Sequence, residues 1–178
     1  MALGSEVFEA QSRSTVTSNG EKRESIQVVE FVLGKEHYAI DLFDVKEVVE
    51  YTSITRLPNT PAYIQGIIDL RGEITTILDL KHRLSISETG MIADEASRII
   101  VLDDGMARSK VGILVDDVTS VSTFEANQVD HVSTSMSREE TAIIDILKRT
   151  VKLADKETTE LIIWIDIRAL LRDIMIIT

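Results

Sequence analysis

Six aspartates, Asp41, Asp44, Asp79, Asp116, Asp117 and Asp166, are the side chains of this sequence best suited to acid/base chemistry, which needs two carboxylates brought face to face. Their settings argue for a different use. Most stand where a strand ends or a helix starts, and there a carboxylate caps backbone N–H groups. The three histidines, His37, His82 and His131, lie far apart with no metal-ligand spacing. His37 falls on the polar face of an alternating strand, where solvation explains it. The chain has no cysteine, which excludes disulfides, thiolate nucleophiles and cysteine zinc sites together. It also lacks a glycine-rich phosphate loop and a Gly-x-Ser-x-Gly elbow. The reading is recognition rather than catalysis, with no catalytic residue, metal or cofactor assigned.

Charge narrows the partners. Against 30 acids stand 19 bases with no basic block, giving a net charge of −11. Nucleic acid and anionic membranes are held by clustered Lys and Arg, so both are disfavoured. A protein partner presenting positive charge suits this surface better. The 178 residues suffice to bury a core without staples. Residues 1–25, rich in Ser, Thr and Glu, read as a mobile tail without a signal peptide or membrane anchor, and a cytoplasmic location is expected.

The elements that position these groups are short and mostly β. Residues 26–33 read as a strand, apolar on both faces, with Gly34 in a tight turn and an alternating strand over 37–42. Val45, Val48 and Val49 fall at i, i+3, i+4 and predict a short helix capped by Asp41. Pro58 and Pro61 stop regular structure, and Tyr63 to Gln65 form one turn closed by Gly66. Residues 67–70 and 74–78 flank an Arg71-Gly72 turn, and Asp79 caps a helical turn through Leu84. Residues 98–102 and 111–115 make a hairpin around Asp103-Asp104-Gly105. Ser137 and Glu140 match a capping box for a helix through Leu147, and a strand at 161–165 precedes a helix at 166–175.

Two phrases recur in the same order. Asp44-Val45-Lys46-Glu47-Val48 is echoed by Asp117-Val118-Thr119-Ser120-Val121, and Ile77-Leu78-Asp79-Leu80 by Trp164-Ile165-Asp166-Ile167. Many short strands and regular turns make the fold class mainly β, in small barrels. The echo reads either as coincidence among Asp-capped β segments or as two related barrels whose meeting leaves a groove for other proteins. The division is expected near 85–97, with the chain shared between the halves at its ends.

Five stretches in order make the resemblance specific. They are Phe31–Ile40, Val45–Val48, Leu57–Gly66, Leu70–Ile74 with Leu78–Leu80, and Val111–Val118. Together they resemble the CheW-like chemotaxis coupling family over residues 27–178. The resemblance implies two five-stranded SH3-like β-barrels with short helices and a C-terminal helix, filling 26–178. It implies a non-enzymatic adaptor, monomeric when isolated, that joins a methyl-accepting chemoreceptor coiled-coil tip to the regulatory domain of a CheA-like histidine kinase. It would be recruited to membrane-bound receptor arrays.

Carried over residue by residue, the resemblance makes Glu47 and Arg71 an ion pair beside the receptor groove. Val45 and Val48 serve either as core or as contact, and Leu57, Asn59 and Tyr63 set the entrance. Residues contacting the kinase stay unassigned. Gly34, Gly66, Gly72 and Gly112 are read as structural, giving backbone freedom or close approach. One departure stands out: residues 141–153 contain no glycine where the family opens its last hairpin, and a helix over 138–147 is expected instead. Two alternatives stay open, an adaptor of a non-chemotactic pathway and a small-ligand-binding β-barrel.

Overall fold

A computed structural model describes residues 25–86, 95–132 and 141–175. The tail expected at 1–25 lies outside them except for its last residue, as does the Ser137–Glu140 capping pattern. In chain order the strands are β1 (Ile26–Leu33), β2 (Glu36–Asp41), β3 (Val45–Glu50), β4 (Ile64–Leu70), β5 (Glu73–Asp79) and β6 (Arg98–Leu102). They continue with β7 (Lys110–Val115), β8 (Asp117–Phe124), β9 (Val129–Asp130), β10 (Ile143–Leu153) and β11 (Lys156–Ile165). Helix α1 (Leu80–Arg83) follows β5, and α2 (Ile167–Met175) follows β11. The chain is mainly β, as the alternating patterns require.

Two units form. One holds Phe31–Lys35 and Phe43–Val118; the other holds Glu36–Leu42 with the described residues up to Glu30 and from Thr119 onward. The expected division near 85–97 is corrected here. The chain leaves the first unit after Val118, because β6 and β7, which follow that connection, pair with β3 and β5 in one sheet.

The first unit is built on the sheet β3-β6-β7-β5-β4. Its edges are brought together by the chain after β3, where Thr55 and Ile67 exchange two N–H···O bonds of 2.9 and 2.8 Å. Ile68, Ile77, Ile99, Val101 and Leu114 fill the interior. Gly112 stands opposite Ile77 and Val101, and a Cβ there would lie 2.9 Å from Ile99 Cγ2 and 3.0 Å from Ile77 Cδ1. Close approach is the reason for that glycine. Gly66 is tighter still, since a Cβ would sit 2.1 Å from the Thr55 carbonyl oxygen at a φ of +148°.

The second unit is built on the sheet β8-β1-β2-β11-β10-β9, around Val28, Ala39, Phe124, Leu147 and Ile162. Glu30 is buried at 1% exposure, with Arg149 donating to both of its carboxylate oxygens at 2.7 and 3.1 Å. Arg149 also donates to Glu160 at 2.9 Å and lies 5.9 Å from the centre of the Phe124 ring. These charged hydrogen bonds hold the guanidinium pKa above its ordinary value, against the opposing pull of desolvation.

Three local expectations are corrected. Residues 45–50 are a strand, not a helix; Tyr63–Gln65 is not a closed turn, because β4 already runs from Ile64; and 143–147 open the long strand β10. In each case the ladder carries a β-bulge, between Val45 and Glu47, Ile64 and Gly66, and Ile143 and Asp145. A bulge inserts one residue and breaks the alternation by which a strand is recognised. Ala142, next to the start of β10, takes the left-handed conformation at φ 55°.

The repeated phrases have matching local form. Asp79 ends β5 and accepts from Lys81 N at 2.9 Å, while Asp166 follows β11 and accepts from Ala169 N at 3.0 Å. Each is a strand-to-helix junction closed by a carboxylate.

Candidate functional site

Four of the six aspartates, Asp41, Asp79, Asp116 and Asp166, have carboxylates engaged by structure. Asp41 accepts from the Trp164 indole at 3.1 Å, and the Asp44 carbonyl accepts from Asp103 N at 2.9 Å. Asp79 caps α1 and also accepts from Gln65 Nε2 at 3.1 Å. Asp116 pairs with the buried Lys81 ammonium at 3.0 Å and accepts from Gly34 N at 2.6 Å, the turn glycine with φ 63°. Asp117 starts β8, and Asp166 caps α2. His37 and His82 are exposed, and His131 Nδ1 lies 3.0 Å from Asp145 Oδ1. Among the described residues no group of three or more His, Asp or Glu side chains is arranged to hold a metal ion.

The most organised charged surface lies on the first unit, where β3 meets the β4–β5 hairpin. That hairpin turns through Arg71 and Gly72, both with positive φ (53° and 86°), as a tight two-residue turn requires. Gly72 N donates to Asp69 Oδ1 at 2.7 Å and fastens the turn. An arginine in the left-handed region costs on the order of 1 kcal/mol, a position that Asn or Gly fills more cheaply. The guanidinium is aimed outward at 64% exposure and grips Glu47 in a fork, Nη1 to Oε1 at 3.0 Å and Nη2 to Oε2 at 2.9 Å. Glu47 is only 13% exposed, so the pair is half sunk into the surface.

The β3 bulge determines which way Glu47 points. Residues directly opposite one another in a ladder share a face. Val45 faces Leu102 and Val48 faces Ile100, whereas Glu47 faces Val101 and Val49 faces Ile99, both on the barrel interior side. Glu47 therefore lies on the opposite face of β3 from Val45 and Val48, at the rim of the barrel. Val45 is buried and Val48 half-buried.

The remaining candidates, Leu57, Asn59 and Tyr63, precede β4. Tyr63 precedes β4 and Arg71 follows it, so they stand just beyond opposite ends of a seven-residue strand, roughly 26 Å apart at about 3.3 Å per residue. The Tyr63 carbonyl accepts from Asp79 N at 2.7 Å, and the Arg83 guanidinium lies 5.8 Å from its ring centre. Leu57 and Asn59 are exposed in the connection from β3 to β4, with Asn59 at φ 58° and Thr60 Oγ1 donating to the Leu57 carbonyl at 3.2 Å.

Sequence reasoning missed the ion pairs flanking Glu47–Arg71. Lys46 Nζ lies 2.7 Å from Asp104 Oδ2, Lys110 pairs with Glu73, and Lys110 Nζ is 3.9 Å from Asp104 Oδ1. The hydrogen bond to Asp104 holds the Lys46 pKa above the ordinary lysine value, while desolvation, then the adjacent Lys46, lowers that of Lys110. Three acids and three bases thus interlock from β3, the β4–β5 hairpin, the β6–β7 connection and the first residue of β7. No local pattern announces them, because the strand order β3-β6-β7-β5 is what brings them together.

The chain thus forms two small β units, of which the first carries an outward-aimed charged rim of interlocked ion pairs. The chain belongs to the CheW-like family, whose domain model matches residues 27–175. It is similar to the chemotaxis protein CheW of Klebsiella aerogenes, 41% identical over 99 residues, spanning 56% of this chain and 57% of that protein. The Bacillus subtilis chemotaxis protein CheW is 33% identical over 128 residues, 71% of this chain and 80% of that one. Among solved structures, the scaffolding protein TtCheW from Thermoanaerobacter tengcongensis superposes with a TM-score of 0.64 at 35% identity, covering 83% of this chain and 93% of that one. No helix of the described residues is long and apolar enough to cross a membrane.

Proposed function

We propose that this chain is a chemotaxis adaptor that holds a chemoreceptor coiled-coil tip and a CheA-like histidine kinase regulatory domain at once, in the cytoplasm at a receptor array. The observation that carries the reading is the Glu47–Arg71 fork, held at the tip of a tight hairpin by a residue in a costly backbone conformation. Strained, outward-aimed side chains on a rigid scaffold are where recognition concentrates. With both Nη groups committed to Glu47, Arg71 keeps its remaining N–H edges for acceptor groups of a partner.

The span from Arg71 to Tyr63 suits an elongated partner. Roughly 26 Å corresponds to about 17 residues of α-helix, so one receptor helix lying along β4 reaches both ends. Val45 and Val48 lie on the opposite face of β3 from Glu47 and buttress the strand from behind rather than meeting the partner at the fork. Each contact is modest, and the adaptor gains its effect by raising the effective concentration of two partners.

Binding of a receptor signalling tip and of a kinase regulatory domain to the Arg71→Glu variant tests the assignment. Receptor binding is expected to fall tenfold or more, on the order of 1.4 kcal/mol, with kinase binding kept. Receptor binding equal to that of the parent protein, from a folded variant, rules the fork out as the receptor contact.

A further inference from the structure

We propose that Asp104 is a positioning residue for the Glu47–Arg71 fork, one carboxylate tying the strand that carries Glu47 to the hairpin that carries Arg71. The inference rests on the reading of that fork as the receptor contact. Lys46 is the extra residue of the β3 bulge and the immediate neighbour of Glu47. A bulge gives up a ladder position, so whatever fixes its extra residue fixes the aim of the side chain beside it. Here the fixing group is Asp104 Oδ2, 2.7 Å from Lys46 Nζ.

The other oxygen of the same carboxylate, Oδ1, lies 3.9 Å from Lys110, which pairs with Glu73, the residue that opens β5 two positions after Arg71. One side chain thus reaches the elements on both sides of the fork. Asp104 is itself well placed for this. Asp103 Oδ1 accepts from Gly105 N at 3.0 Å, Met106 N donates to the Asp103 carbonyl at 3.0 Å, and Asp103 N donates to the Asp44 carbonyl at 2.9 Å, just before β3. At 59% side-chain exposure Asp104 has no part in the core, so its charge can be removed with little effect on folding.

Removing that charge leaves the Lys46 and Lys110 ammonium groups close together without the anion between them. Lys46 then swings away, the bulge loses its anchor, and Glu47 is released from its fixed aim. The energetic effect on stability is small, as for any solvated pair, while the effect on a contact needing both fork partners in place is larger.

The test compares Asp104→Asn with the charge-keeping Asp104→Glu in the full chain. The Arg71 guanidinium is followed by nitrogen NMR in the free protein, alongside receptor-tip affinity and the urea midpoint. A forked guanidinium shows separate Nη signals because rotation is restricted. In Asp104→Asn these are expected to merge, and tip affinity to drop about three- to tenfold, with the urea midpoint near the parent value and Asp104→Glu retaining both. Lys46→Met is expected to reproduce the loss if Asp104→Asn folds poorly. Arg71 signals that stay separate in folded Asp104→Asn, or in Lys46→Met, overturn the inference. Merged signals in these variants, with tip binding untouched even by Arg71→Glu, uphold the positioning and overturn the receptor reading.

Discussion

Replacing Arg149 by methionine keeps an unbranched stem of similar reach and deletes the group that neutralises Glu30. In the parent protein both Glu30 oxygens receive charged hydrogen bonds, and the side chain is only 1% exposed. The variant leaves that carboxylate buried and deprived of its counter-ion. Breaking a buried pair on one side costs about 3–5 kcal/mol, and because Arg149 is itself 35% exposed, water reaches part of the site and the lower end applies. A loss of about 3 kcal/mol lowers the melting temperature of a chain this size by roughly 6–12 °C. Trp164 is the sole tryptophan and packs against the same core, so its fluorescence in a urea titration reads the change. Adding Glu30→Gln to Arg149→Met is expected to recover at least about 1 kcal/mol, since a neutral amide is cheaper to bury than a lone charge. A single variant within about 0.5 kcal/mol of the parent would refute the argument that this pair anchors β1 to β10.

Two further substitutions test the backbone reasoning. Gly66→Ala drives a Cβ into the Thr55 carbonyl and is expected to cost more than about 3 kcal/mol or to prevent folding; an ordinary melting temperature would contradict the tight barrel closure there. Ala154→Gly, at φ 54° in the β10–β11 turn, is expected to raise stability by about 0.5 kcal/mol, because relief of left-handed strain outweighs the entropy of glycine. A fall in the urea midpoint would count against that conformation.

Much of the fold is legible in the sequence wherever a short β-branched run is bounded by turn residues. Ile74 to Leu78, Arg98 to Leu102 and Val111 to Val115 are strands as their β-branched runs suggest, and Asp79 caps as its place before Leu80 suggests. The misreadings share a cause. At Val45–Val49 the bulge makes a strand imitate helical spacing, and at Ile64–Gly66 and Ile143–Asp145 the same extra residue hides where a strand begins. A bulge depends on the partner strand, which no local window contains. The Glu47–Arg71 pairing came from the family resemblance, whereas the Lys46–Asp104 and Glu30–Arg149 pairs join positions 58 and 119 residues apart and follow only from strand order.

The adaptor account is tested most directly by titrating this protein with a receptor signalling tip and a kinase regulatory domain from the same organism, first separately and then together. The account predicts binding to each and a ternary complex in which neither partner displaces the other. Binding to neither from a folded sample, or strict competition between the two, would contradict it.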